Sequence, residues 1–72
     1  MSPSELATAL RETVRRAPEG EVVVSIHLFG IRHVGELQGV PLKALVREAR
    51  IPRSYHTEIR KGMKLAEFVI LK

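Results

Sequence analysis

The side chains with the widest chemical repertoire in this 72-residue chain are three histidines, His27, His33 and His56, and the cluster Ser54, Thr57 and Glu58. Imidazole is the commonest protein metal ligand and general base, but it needs partners at the right spacing. His27 and His33 are six residues apart, which on a helix sets them on opposite faces, and His56 belongs to a different element. The chain has no Cys and no Asp to complete a donor set. His56 and Glu58 are two apart and do not face one another on a helix. Ser54 and Thr57 have no identifiable base, and Gly30 and Gly35 lack the Gly-Lys-Ser or Gly-x-Gly-x-x-Gly context of a phosphate-cradling loop. Gly30 reads instead as a close-packing point between helices. These spacings predict no catalytic residue, no metal site and no cofactor, hence a protein that is not an enzyme and takes no small-molecule substrate.

The chemistry that remains is charge. Residues 42–72 hold eight Lys or Arg against three Glu, whereas residues 1–41 hold four Arg against five Glu, so the net +4 of the chain is confined to its C-terminal part. One-sided basic charge is the electrostatic footprint of a nucleic-acid-binding module.

The elements that must position these cations follow from the apolar spacing. Ser2, Pro3 and Glu5 carry the marks of a helix start, with a capping serine, proline at the first helical position and Glu three residues after the cap. Leu6, Leu10 and Val14, widened by Ala9, Thr13 and Ala17, make one apolar face, and Pro18 with Glu19 and Gly20 ends the helix. Residues 21–38 have β-branched propensity at Val22 to Ile26. Their length, and the helical spacing of Val23, Ile26, Gly30, Val34 and Leu37, favour one long helix over a short strand. Gly39 suits the position after its end. Leu42, Leu45, Val46 and Ala49 fall at i, i+3, i+4 and i+7, a short helix entered through Pro41. Arg50 and Ile51 then separate it from Pro52 and a further helix, Arg53 to Lys61, with Gly62 as its stop. Leu65 to Leu71, rich in Phe, Val and Ile, reads as a terminal strand paired with the Val22 region or with a second chain.

The run Leu45 to Gly62 resembles the helix-turn-helix of small bacterial DNA-binding proteins. In that resemblance Val46 and Ala49 are the small residues where the helices touch, Ile51 is the aliphatic plug of the turn, and Ile59 anchors the recognition helix. Arg50 stands where such proteins usually have glycine. His56 stands where an aliphatic residue is usual, with Tyr55 as the substitute for packing. The segments Ile26 to Ile31 and Ser54 to Gly62 together are similar to a group of small, poorly characterised bacterial helix-turn-helix-like proteins, a likeness that implies fold more than activity. With Ile59 set inward at 100° per residue, Ser54, Thr57 and Lys61 point outward toward bases, and Arg53 and Arg60 flank that face toward phosphates. Lys43, Arg47, Arg50 and Lys64 join the phosphate set from neighbouring elements.

The expected architecture is therefore one domain over residues 1–72, mostly α: a helix-turn-helix-type domain of three or four helices with a short, wing-like C-terminal strand. Its expected function is binding of duplex DNA through the helix near residues 53–61, in the manner of a transcriptional regulator. The rival is a protein-interaction or assembly module, antitoxin-like or a small partner protein, whose apolar surface would lie in Val22 to Ile31 or Phe68 to Leu71. A lone module this small binds DNA only modestly, which leaves room for a homodimer. The absence of cysteine, of a charged leader before an apolar run, and of a stretch of roughly 18 apolar residues points to a cytoplasmic protein without a membrane span.

Overall fold

A computed structural model describes residues 1–71, which form five helices and no strand: α1 (Pro3–Arg16), α2 (Val22–Arg32), α3 (Val34–Leu37), α4 (Leu42–Ala49) and α5 (Tyr55–Leu65). The start of α1 is the expected capping box. Glu5 N–H donates to Ser2 Oγ at 3.1 Å, and Ser2 N–H donates to Glu5 Oε1 at 2.8 Å. The hydrogen bonds from the Ser2 backbone and hydroxyl hold the Glu5 carboxyl below its ordinary pKa. At the other end Ala17 is extended (φ −63, ψ 134), as a residue preceding proline must be to avoid the pyrrolidine ring.

Val22 to Ile26 are helical despite their strand propensity. In a helix Ile26, Phe29 and Gly30 share one buried face, and among the described residues no strand exists to pair with them. The single long helix expected over residues 21–38 is instead broken at His33 (φ −107, ψ 22). The His33 ring packs on Phe29 with centroids 4.6 Å apart, and its Nδ1 meets Glu36 Oε1 at 3.1 Å. The short α3 beyond the break carries Leu37 into the core. Gly39 then turns the chain with φ +78, a conformation that costs a side chain but not a glycine.

The terminal strand expected over Leu65 to Leu71 is not formed. Leu65 is the last residue of α5, and the chain leaves through turns in which Phe68 N–H and Val69 N–H both donate to the Leu65 carbonyl. A strand needs a paired edge, and the Val22 segment proposed to supply it is committed to α2. The same packing corrects Gly62. Rather than stopping a helix at Lys61, it lies inside α5, buried against α2.

Leu6 and Leu10 of α1, Ile26 and Phe29 of α2, Leu37 of α3, Val46 of α4 and Ile59 of α5 are all essentially fully buried in one cluster. Every helix contributes, so truncating any of these side chains to alanine removes about 2–5 kcal/mol from a core that all five elements share.

Candidate functional site

The turn between α4 and α5 is built by the chain ends that helices leave unsatisfied. Arg50 takes the left-handed conformation (φ 61, ψ 42). Its N–H donates to the Arg47 carbonyl at 3.1 Å, and Ile51 N–H donates to the Val46 carbonyl at 3.2 Å. This pair of bonds is the Schellman closure, usually completed by glycine. Arginine supports the same geometry here at a steric cost of about 1 kcal/mol. A further clamp comes from α1, where Arg11 donates through Nε to the Ala49 carbonyl at 3.1 Å and through Nη2 to the Glu48 carbonyl at 3.3 Å. Half-buried Ile51 packs against the core, as expected of the plug, and Val46, Ala49 and Ile59 are fully buried.

Residues 52–54 form a turn, and α5 begins at Tyr55. Arg53 and Ser54 thus precede the helix in which they were expected. Tyr55 and Met63 pack partly buried against the core, so Tyr55 takes the packing role left open by His56. His56 Nδ1–H donates to the Arg53 carbonyl at 2.8 Å, and the Thr57 hydroxyl donates to the Ser54 carbonyl at 2.8 Å. Both side chains therefore brace the start of α5.

The outward face of α5 is a single stripe. Thr57, Arg60, Lys61 and Lys64 are exposed at i, i+3, i+4 and i+7, with exposed Arg53 and Ser54 at its leading end. Arg60 and Lys64 also line a shallow depression of about 380 Å³ with Gln38, Gly39, Val40 and Leu42, so the stripe adjoins the entry of α4. From α4 and the turn, Lys43, Arg47 and Arg50 are exposed as well. Lys61 pairs with Glu58 at 3.5 Å and Lys64 with Glu67 at 3.3 Å. Lys43, Arg47, Arg50, Arg53 and Arg60 enter none of the ion pairs among the described residues.

Two features of the site were not read from sequence. The first is the crossing of α2 and α5, where Gly30 and Gly62 meet. A Cβ on Gly30 would lie 2.6 Å from the Ile59 carbonyl oxygen and 2.9 Å from Gly62 Cα, and a Cβ on Gly62 would collide with the His27 carbonyl. Gly30 is thus the close-packing point expected of it, and the missed partner is Gly62. The second is the engagement of Glu58. Its Oε1 meets His27 Nε2 at 2.7 Å, with side chains only 27% and 20% exposed for His27 and Glu58. The hydrogen bond from His27, with smaller help from Lys61, holds the Glu58 carboxyl below its ordinary pKa against the opposing effect of burial. No sequence spacing links residues 27 and 58, since only the helix crossing brings them together.

A cavity of about 750 Å³ lies between Pro3 and the side of α4 that carries Ala44, Arg47 and Glu48. His27, His33, His56, Ser54 and Thr57 are not among its lining residues. Among the described residues no three His, Cys, Asp or Glu side chains gather as metal donors, and no helix is long and apolar enough to cross a membrane.

Two helices joined through a left-handed residue and an apolar plug, the second presenting a cationic face, define a helix-turn-helix unit. The chain belongs to a family of HTH-like domains, whose model matches residues 2–72. No curated protein and no solved structure matches it.

Proposed function

We propose that this protein binds duplex DNA through the outer face of α5. The observation that carries the reading is that a helix-turn-helix presents Thr57, Arg60, Lys61 and Lys64 as one uninterrupted exposed stripe. Four adjoining cations, Lys43, Arg47, Arg50 and Arg53, are, like Arg60, free of ion pairs among the described residues. Ser54, Thr57 and Lys61 are the base-contacting set. Thr57 already donates to the Ser54 carbonyl, so it offers a base its acceptor lone pairs. Lys43, Arg47, Arg50, Arg53, Arg60 and Lys64 contact phosphates, which set register and affinity without reading sequence. A cytoplasmic transcriptional regulator uses a module of this kind.

Fluorescence anisotropy of a labelled duplex at 50 and 200 mM salt tests the reading. Release of counterions from about six phosphate contacts predicts a loss of affinity on the order of a thousandfold between these conditions. Backbone amide shifts should cluster between Lys43 and Lys64. No binding at the lower salt, or shifts elsewhere, overturns it.

A separate observation favours self-association. Val23, Val24 and Leu28 on α2 and Leu65, Phe68, Val69 and Ile70 at the end of the chain are exposed, Phe68 at 74% and Ile70 at 94%. A homodimer through this surface would present two copies of α5 to successive half-sites. The same surface without DNA binding would be that of an assembly module.

A further inference from the structure

The α2 residue His27 lies behind the stripe, but it is connected to it through two short contacts: His27 Nε2 to Glu58 Oε1 at 2.7 Å, and Glu58 Oε2 to Lys61 Nζ at 3.5 Å. Glu58 is the one carboxylate within the first two turns of α5, between Thr57 and Lys61, and an anion there opposes phosphate approach. We propose that His27 is a positioning and charge-compensating residue for the α5 face: it draws Glu58 back against α2, and its protonation neutralises that carboxylate when DNA arrives. The inference rests on the DNA-binding reading and adds a regulation to it, a proton taken up at a residue that touches no nucleic acid.

The surroundings leave this relay undisturbed. Of the charged side chains of α1, Glu5 is bonded to Ser2, Glu12 pairs with Arg15 and Arg16, and Arg11 reaches the α4 carbonyls. On α3, Glu36 is engaged with His33. On α4, Lys43, Arg47 and Glu48 are exposed to solvent. Among the described residues the ion-pair partner of His27 is Glu58, and the further partner of Glu58 is Lys61, both on α5. Glu58 has its pKa lowered chiefly by the His27 hydrogen bond, so it remains an anion across the range, about pH 5 to 8, in which imidazoles ordinarily change charge. The protonation state of His27 then decides whether the pair carries a net negative charge or none. Because phosphates favour the neutral pair, the DNA complex holds more protons than the free components, and affinity rises as pH falls.

The test compares the wild type with H27Q and E58Q for a labelled duplex at fixed low salt, at pH 8 and pH 6. Glutamine at position 27 keeps a donor for Glu58 but cannot take up a proton. The wild type should gain roughly threefold to tenfold more affinity on acidification than H27Q, an average uptake of about a quarter to half a proton over these two pH units. His33 and His56 are present in both proteins, so their contributions cancel. E58Q should bind more tightly than the wild type at pH 8 and show the reduced pH response of H27Q. It carries the comparison by itself if H27Q does not fold. In the free protein, the Glu58 and Lys61 amide shifts should follow the His27 imidazole titration in the wild type and not in E58Q. Equal pH responses in all three proteins overturn the inference and leave DNA binding standing. Absence of salt-sensitive binding by the wild type overturns both.

Discussion

Arg50 shows how one residue can depart from a motif's usual chemistry and still build its geometry. Its backbone is left-handed (φ 61) and is the only non-glycine with positive φ among the described residues. The two Schellman bonds and the Arg11 clamp on the adjacent carbonyls hold it there. Arg50→Gly should therefore stabilise the protein by about 0.5–1 kcal/mol through relief of the Cβ clash. Arg50→Val, β-branched and intolerant of this region, should destabilise it by about 1–2 kcal/mol. Urea denaturation measures both, and equal stabilities would contradict the strain. If Arg50 holds a phosphate as proposed, Arg50→Gly should also flatten the salt dependence of duplex binding by about 0.9 in log–log slope, the share of one such contact. The cations of the candidate site were visible as residue types. The conformation of Arg50 was not, because a side chain's identity states the cost of a backbone angle and not whether neighbours impose it.

At the scale of elements, the crossing of α2 with α5 decides where the cationic stripe points. Glycine inside a helix ordinarily costs about 1 kcal/mol relative to alanine, so two of them, Gly30 and Gly62, need a packing reason, and the backbone contact between the helices supplies it. Gly30→Ala should reverse the helix-propensity gain and destabilise the fold by about 1–3 kcal/mol through overpacking, since the nearest obstacle is the Ile59 carbonyl and cannot rotate away. Gly35→Ala in α3, where a Cβ meets nothing within 4 Å, should be neutral or stabilising by up to about 1 kcal/mol. Thermal melts of the two variants should therefore move in different directions. Helix boundaries near caps were legible: Ser2 with Glu5, Pro18 and Gly39 all mark the breaks they were expected to mark. The terminal strand was misread because β-propensity at Leu65 to Leu71 reports a preference for a pleated, half-buried surface, and no such surface forms among the described residues; the second helix was misread as unbroken because its helical spacing continues through His33, where the backbone leaves the helix.

For the whole molecule, two surfaces compete for attention: the cationic stripe of α5 and the exposed apolar residues of α2 and the chain end. Phe68→Ser with Ile70→Ser should leave the urea midpoint nearly unchanged, within about 0.5 kcal/mol, because both side chains are exposed. If the homodimer forms through this surface, sedimentation equilibrium should show the double variant shifted toward monomer. An unchanged association state would remove the tail from that interface. The amino-acid sequence alone determined the concentration of positive charge after residue 42 and the amphipathic spacing of α1 and α4, which depend on residue type and local period, and a linear chain carries both in full; the apolar plug and anchor at Ile51 and Ile59 were what the resemblance to helix-turn-helix proteins implied. Tertiary structure alone decided the crossing of Gly30 with Gly62, the capture of Glu58 by His27 and the Arg11 clamp on the α4 carbonyls. Each joins groups 30 or more residues apart, and separation along the chain says nothing of who meets whom until the core has closed.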